Sequence, residues 1–115
     1  MTKNYMTGPK FYLGKLLEQN YPDLEKEFMF AKEAGRRFRA DYHIPSLQVL
    51  VEYEGVFMAQ KSRHTSVLGY TNDCEKYNMA QLLGYTILRY TAKNYSQVLQ
   101  DLKYLKNSLK VGGSD

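Results

Sequence analysis

The sequence predicts a mixed α/β domain of the α+β kind, with a mixed sheet at its centre and helices covering it. Three observations predict it: apolar residues at helical spacing near both ends, a β-branched and aromatic run from Gln48 to Glu54, and Gly, Pro and Asn between the periodic stretches. The order is helix, three strands, helix, strand, helix. At 115 residues the chain suits one domain over residues 1–111, with 112–115 as a flexible tail, because a second core would lack apolar material.

Thr7-Gly8-Pro9 opens the first helix, since proline is tolerated in the first turn; Phe11, Tyr12, Leu16 and Leu17 follow at helical spacing, and Asn20-Tyr21-Pro22-Asp23 ends it. From Glu27 the period changes to alternation, with Phe28 and Phe30 flanking Met29. Ala34-Gly35-Arg36 is the turn candidate, and Phe38 to Ile44 resumes in extended style. Pro45 stops that strand, and Gln48 to Glu54 supplies the third, in an antiparallel meander. Gln60 to Ser66 has neither period and is expected to be a loop. Asn72 caps a helix over Asp73 to Leu83, with Glu75 completing a capping-box arrangement and Gly84 as the stop. Thr86 to Tyr90 is the fourth strand. Asn94 starts a last helix whose apolar face carries Val98, Leu102, Leu105 and Leu109.

Hydrophobic residues at 43% and charged residues at 24% exclude a disordered chain and a coiled coil. A formal charge of +4 favours polyanionic partners. One cysteine, Cys74, cannot form an internal disulfide and is expected to be a small buried residue. No apolar run has the length of a membrane span and the first residues lack a secretion-signal pattern, so a soluble, cytoplasmic protein is expected, without a membrane partner.

The chemistry concentrates in acids. Glu52 and Glu54 lie two apart on a strand and leave the same face; Asp41, on the preceding strand, can be set beside Glu52 across the ladder. Three carboxylates so placed call for a cation, and hard oxygen ligands suit Mg²⁺ or Mn²⁺. Against this stands the plainer possibility that the acids pair with Arg36, Arg37 or Arg39 at the sheet edge.

Arg36 to Asp41, Val51-Glu52-Tyr53-Glu54-Gly55, Arg63-His64-Thr65 and Asp73 to Asn78, in that order and with that succession of elements, resemble small phage-type endonuclease domains of the PD-(D/E)xK nuclease superfamily. The match spans about residues 9 to 92. It implies a restriction-endonuclease-like core and a divalent-metal-dependent endonuclease hydrolysing DNA phosphodiesters, with branched or otherwise structured DNA among its substrates. RNA is not excluded, and a homodimer would suit a two-strand cut. By position, Asp41 and Glu52 resemble the metal-binding acids, with the Tyr53 carbonyl as a further ligand. Glu54 departs from the pattern by standing where the superfamily has lysine. It is expected either to ligate metal or to act as base.

Lys76, in the second helix, is the proposed substitute for that lysine; its plainer reading is a surface pair with Asp73. Arg63 and His64 are candidates for gripping and protonating a phosphate. Gln81 and Tyr85 resemble a Gln-x-x-x-Tyr element that approaches DNA in exonuclease branches. Glu18 and Glu27 are weaker candidates for an extra acidic ligand, and Lys103, Lys106 and Lys110 form a basic stripe more simply explained as a solvated helix face. Tyr42, Tyr53, Tyr85 and Tyr90 are expected in the core or on sheet faces, not stacked on bases. The alternative to an enzyme is a nucleic-acid-binding module that keeps the nuclease fold and has lost turnover because of Glu54.

Overall fold

Gly8 and Pro9 do open the first helix, α1 (Pro9–Asn20), in the computed structural model, which describes residues 8–55 and 66–113. Its buried stripe is Leu13, Gly14 and Leu17. Gly14 is dictated by a close approach: a Cβ there would lie 2.7 Å from the Tyr42 hydroxyl oxygen.

Strand β1 (Glu25–Met29) pairs antiparallel with β2 (Arg39–Ile44), which pairs antiparallel with β3 (Val49–Tyr53); β4 (Thr86–Tyr90) lies parallel to β3. The sheet order is β1-β2-β3-β4. Between β1 and β2 the chain makes a 3₁₀ turn over Lys32–Ala34, closed by Gly35 at φ +76°, which glycine adopts without strain. A second 3₁₀ turn, Pro45–Leu47, joins β2 to β3. The parallel β4 requires a crossover, supplied by helix α2 (Val67–Leu82). Helix α3 (Val98–Gly113) closes the described chain, so the element order is the expected one.

The sheet is covered on both faces. Leu13 and Leu17 of α1 and Val98 and Leu102 of α3 bury Tyr42, Ile44, Val49, Val51 and Tyr90. On the other face, Ala80 of α2 packs with Leu50, Ala40, Phe30 and Ala31. Tyr42 and Tyr90 are buried, as expected, while Tyr53 and Tyr85 are partly buried at the cluster margins.

Several boundaries differ from expectation, each for a local reason. Helix α2 begins at Val67, not Asp73, because the Ser66 hydroxyl accepts the Gly69 N–H at 3.0 Å and caps it. Ala80 is its one buried residue among those described, so its first turns carry no apolar period to betray them. Cys74 lies on this sparsely buried helix and is exposed, not buried. Asn94 does not start the last helix directly. Its Oδ1 accepts the Thr91 N–H at 2.8 Å, a 3₁₀ turn over Tyr95–Gln97 follows, and regular helix starts at Val98. Leu109, expected on the apolar face of the last helix, is 54% exposed. The tail expected from Gly112 is helical through Gly113. Among the described residues, no helix is long and apolar enough to cross a membrane.

Candidate active site

The β2–β3 register pairs Tyr42 with Val51 and therefore sets Asp41 across from Glu52, as the sequence predicts. The two acids are tied to each other's strands. The Asp41 N–H donates to Glu52 Oε2 at 3.2 Å, and the Tyr53 N–H donates to Asp41 Oδ2 at 2.8 Å. On the far side of β2 the register pairs Lys26 with Tyr42 and Phe28 with Ala40, which leaves Glu27 across from Asp41 at φ +52°. A non-glycine residue in the left-handed region costs about 1–3 kcal/mol, so the strand beside Asp41 is held distorted by its surroundings. The same break shows in the packing: Ala40 and Tyr42, two apart on β2, fall into opposite clusters.

Glu52 is only 7% exposed. Burial pushes its carboxyl above the ordinary glutamate value, opposed by Lys76, whose Nζ lies 2.9 Å from Glu52 Oε1. The lysine thus reaches from α2 to the buried Glu52, and not to Asp73. Lys10, near the start of α1, places its Nζ 3.4 Å from Asp41 Oδ1. Asp41, Glu52, Tyr53, Glu54, Asp73, Lys76 and Tyr77 are among the residues lining one cavity of about 370 Å³.

Glu54 does not join the acidic pair. Its Oε2 accepts from the Tyr77 hydroxyl at 3.0 Å and from Arg89 Nε at 3.1 Å, and its backbone N–H donates to the Tyr90 carbonyl. The convergence of three carboxylates is accordingly corrected to a pair plus a separately held acid. Among the described residues, no group of three or more acids, histidines or cysteines is arranged to hold a metal ion. The arginines foreseen as partners go elsewhere: Arg36 pairs with Glu75 and Arg39 with Glu27. Glu27 is thereby engaged by Arg39, and Glu18 is held by Lys26 and Lys15: the Lys26 hydrogen bond first, then the charges of both lysines, keep its carboxyl below the ordinary range.

Gln81 and Tyr85 are not brought to the acids. Helix α2 runs back toward the start of β4, where Thr86 pairs with Val49, whereas Glu52 pairs with Arg89 at the opposite end of the strands. Gln81 is exposed there, and Tyr85 packs edge-on against Phe28, Phe30 and His43. Lys103 and Lys106 are exposed on α3, which covers the other face of the sheet. Arg63 and His64 lie outside the described residues.

Three site residues escaped sequence reasoning: Lys10, Tyr77 and Arg89. Arg89 carried a usable signal, being a lone cation within the otherwise uncharged strand Thr86–Tyr90. The others carried none, since an exposed helix lysine or a half-apolar helix tyrosine is ordinary. No family model, no curated protein and no solved structure matches the chain.

Proposed function

We propose that this chain is a divalent-metal-dependent nuclease of the PD-(D/E)xK type, hydrolysing phosphodiester bonds in DNA, with RNA as the other polymer of the same chemistry. The observation that carries the reading is the opposition of Asp41 and Glu52 on neighbouring strands with Lys76 against Glu52. The element order, with a mixed sheet and a helix between β3 and β4, agrees with a restriction-endonuclease-like core.

The donor set fits a hard cation. Asp41 and Glu52 offer carboxylate oxygens that keep lone pairs beyond those used by their hydrogen bonds and lysine partners, and Tyr53 lines the same cavity. Magnesium or manganese, when bound, supplies Lewis-acid polarisation of the phosphoryl group and acidifies water. Lys76, held beside Glu52, supplies the positive charge that the superfamily's lysine supplies, and steadies charge developing on the phosphate. Glu54 lines the same cavity with its Oε2 held by Tyr77 and Arg89, and its place where the superfamily has lysine favours the second reading, a binding module without turnover.

The test uses labelled single-stranded, duplex, flap and four-way-junction DNA with Mg²⁺ or Mn²⁺, beside Asp41→Ala and Glu52→Ala variants. Wild type is expected to cleave, and each variant to lose more than the roughly 100-fold that removal of an outer partner of a metal site costs. Identical products from wild type and both variants would overturn the nuclease reading. Strand binding without cleavage by wild type favours the binding module.

A further inference from the structure

Arg89 is the least explained cation of the site. It stands on β4, the edge strand of the sheet, next to the acidic pair: the parallel register places it beside Glu52. Its side chain is nevertheless held on two sides. Nε donates to Glu54 Oε2 at 3.1 Å, and the guanidinium carbon lies 3.9 Å from the centroid of the Tyr77 ring. The Tyr77 hydroxyl donates to the same Glu54 oxygen at 3.0 Å. Burial, reinforced by Glu54, raises the pKa of that hydroxyl well above the ordinary tyrosine value, in keeping with its role as a donor. The side chain is still 46% exposed. A guanidinium bound through Nε and stacked on one face keeps its terminal N–H fork, the part that matches a phosphate.

We infer that Glu54, Tyr77 and Arg89 form a phosphate clamp, in which Glu54 and Tyr77 orient Arg89 so that its terminal nitrogens grip the nucleic-acid backbone beside the Asp41–Glu52 pair. This deepens the nuclease reading and rests on it for the identity of the strand. It also gives the unusual glutamate a purpose: Glu54 acts as a positioning residue for a cation. Among the described residues, four carboxylates, Asp41, Glu52, Glu54 and Asp73, line the cavity, against the cations Lys76, Lys10 and Arg89 that line it or pair with its acids. The cavity thus carries one net negative charge, which a divalent cation reverses. Strand binding through Arg89 should therefore strengthen when such a cation is present.

The experiment measures binding of a short fluorescein-labelled oligonucleotide by anisotropy, with Ca²⁺ or with chelator, and Mn²⁺ binding separately by calorimetry. Loss of a charge-assisted hydrogen bond corresponds to about tenfold or more in affinity, and this is the loss expected for Arg89→Lys in Ca²⁺. Glu54→Gln and Tyr77→Phe are expected to weaken strand binding less, with Mn²⁺ affinity falling far less in all three than in Asp41→Ala. If Arg89→Lys binds the strand as wild type does, the clamp is wrong while the nuclease reading stands. A fall in Mn²⁺ affinity for Glu54→Gln as large as that for Asp41→Ala also sinks it, because Glu54 then acts as a metal ligand. If instead strand binding needs Arg89 but wild type and Asp41→Ala bind Mn²⁺ equally and neither cleaves, the clamp survives and the nuclease reading fails.

Discussion

Glu52 and Glu54 are two residues apart on one chain segment, yet they live in different surroundings. Glu52 sits inside strand β3, is almost fully buried, and meets a lysine from a helix; Glu54 follows the end of the strand and meets an arginine from the neighbouring strand and a tyrosine hydroxyl. A charge inside a sheet is retained only if a cation answers it, because desolvation costs several kcal/mol. At the strand end solvent shares the task. Spacing alone makes the two acids look equivalent. Their neighbours make one a candidate ligand and the other a brace.

The comparison is broken most directly at Lys76. Its pair with Glu52 is mostly out of water, so Lys76→Met leaves a buried carboxylate uncompensated and is expected to destabilise the fold on the order of 3 kcal/mol. Adding Glu52→Gln should recover most of that loss in urea titrations. A single-variant loss below about 1 kcal/mol would mean that Glu52 is no more dependent on its partner than a surface acid.

A smaller effect separates the acids by pH. Because the folded-state pKa of Glu52 is raised, the stability it contributes is fully present below its unfolded value and is lost as pH rises through the folded one. Wild-type stability should therefore fall relative to Glu52→Gln as pH rises through a window that begins at the ordinary value of 4.5 and extends above it. Parallel stability curves for the two proteins across that window would contradict it. Proton competition has the same origin, so Mn²⁺ affinity should weaken as pH drops into that window.

The smallest effect is expected at Glu54. Its partner Arg89 is 46% exposed, so Glu54→Gln should cost less than about 1 kcal/mol of stability. Chemical denaturation gives this directly, and a loss as large as that of Lys76→Met would erase the distinction between the two acids.

Much of the frame was legible because its signals are local. Pro9 and Pro22 bracket α1, Gly35 closes the first turn, Pro45 ends β2, and the run from Val49 to Tyr53 suits a strand covered on both faces. Helix α2 was misjudged at its start because its early turns bury nothing, so only the Ser66 cap marks them. Gln81 and Tyr85 lie at the other end of the strands from the acids, and motif spacing carries no information about which end of a sheet a helix returns to.

The sequence by itself determined the order of elements and the opposition of Asp41 and Glu52, since strand alternation and a short connection leave one register that buries the apolar residues. Only the tertiary structure decided which cation answers which carboxylate. Lys76 and Arg89 stand 24 and 35 residues from their acids, on elements whose approach is set by packing, and a long side chain takes the nearest partner that packing provides.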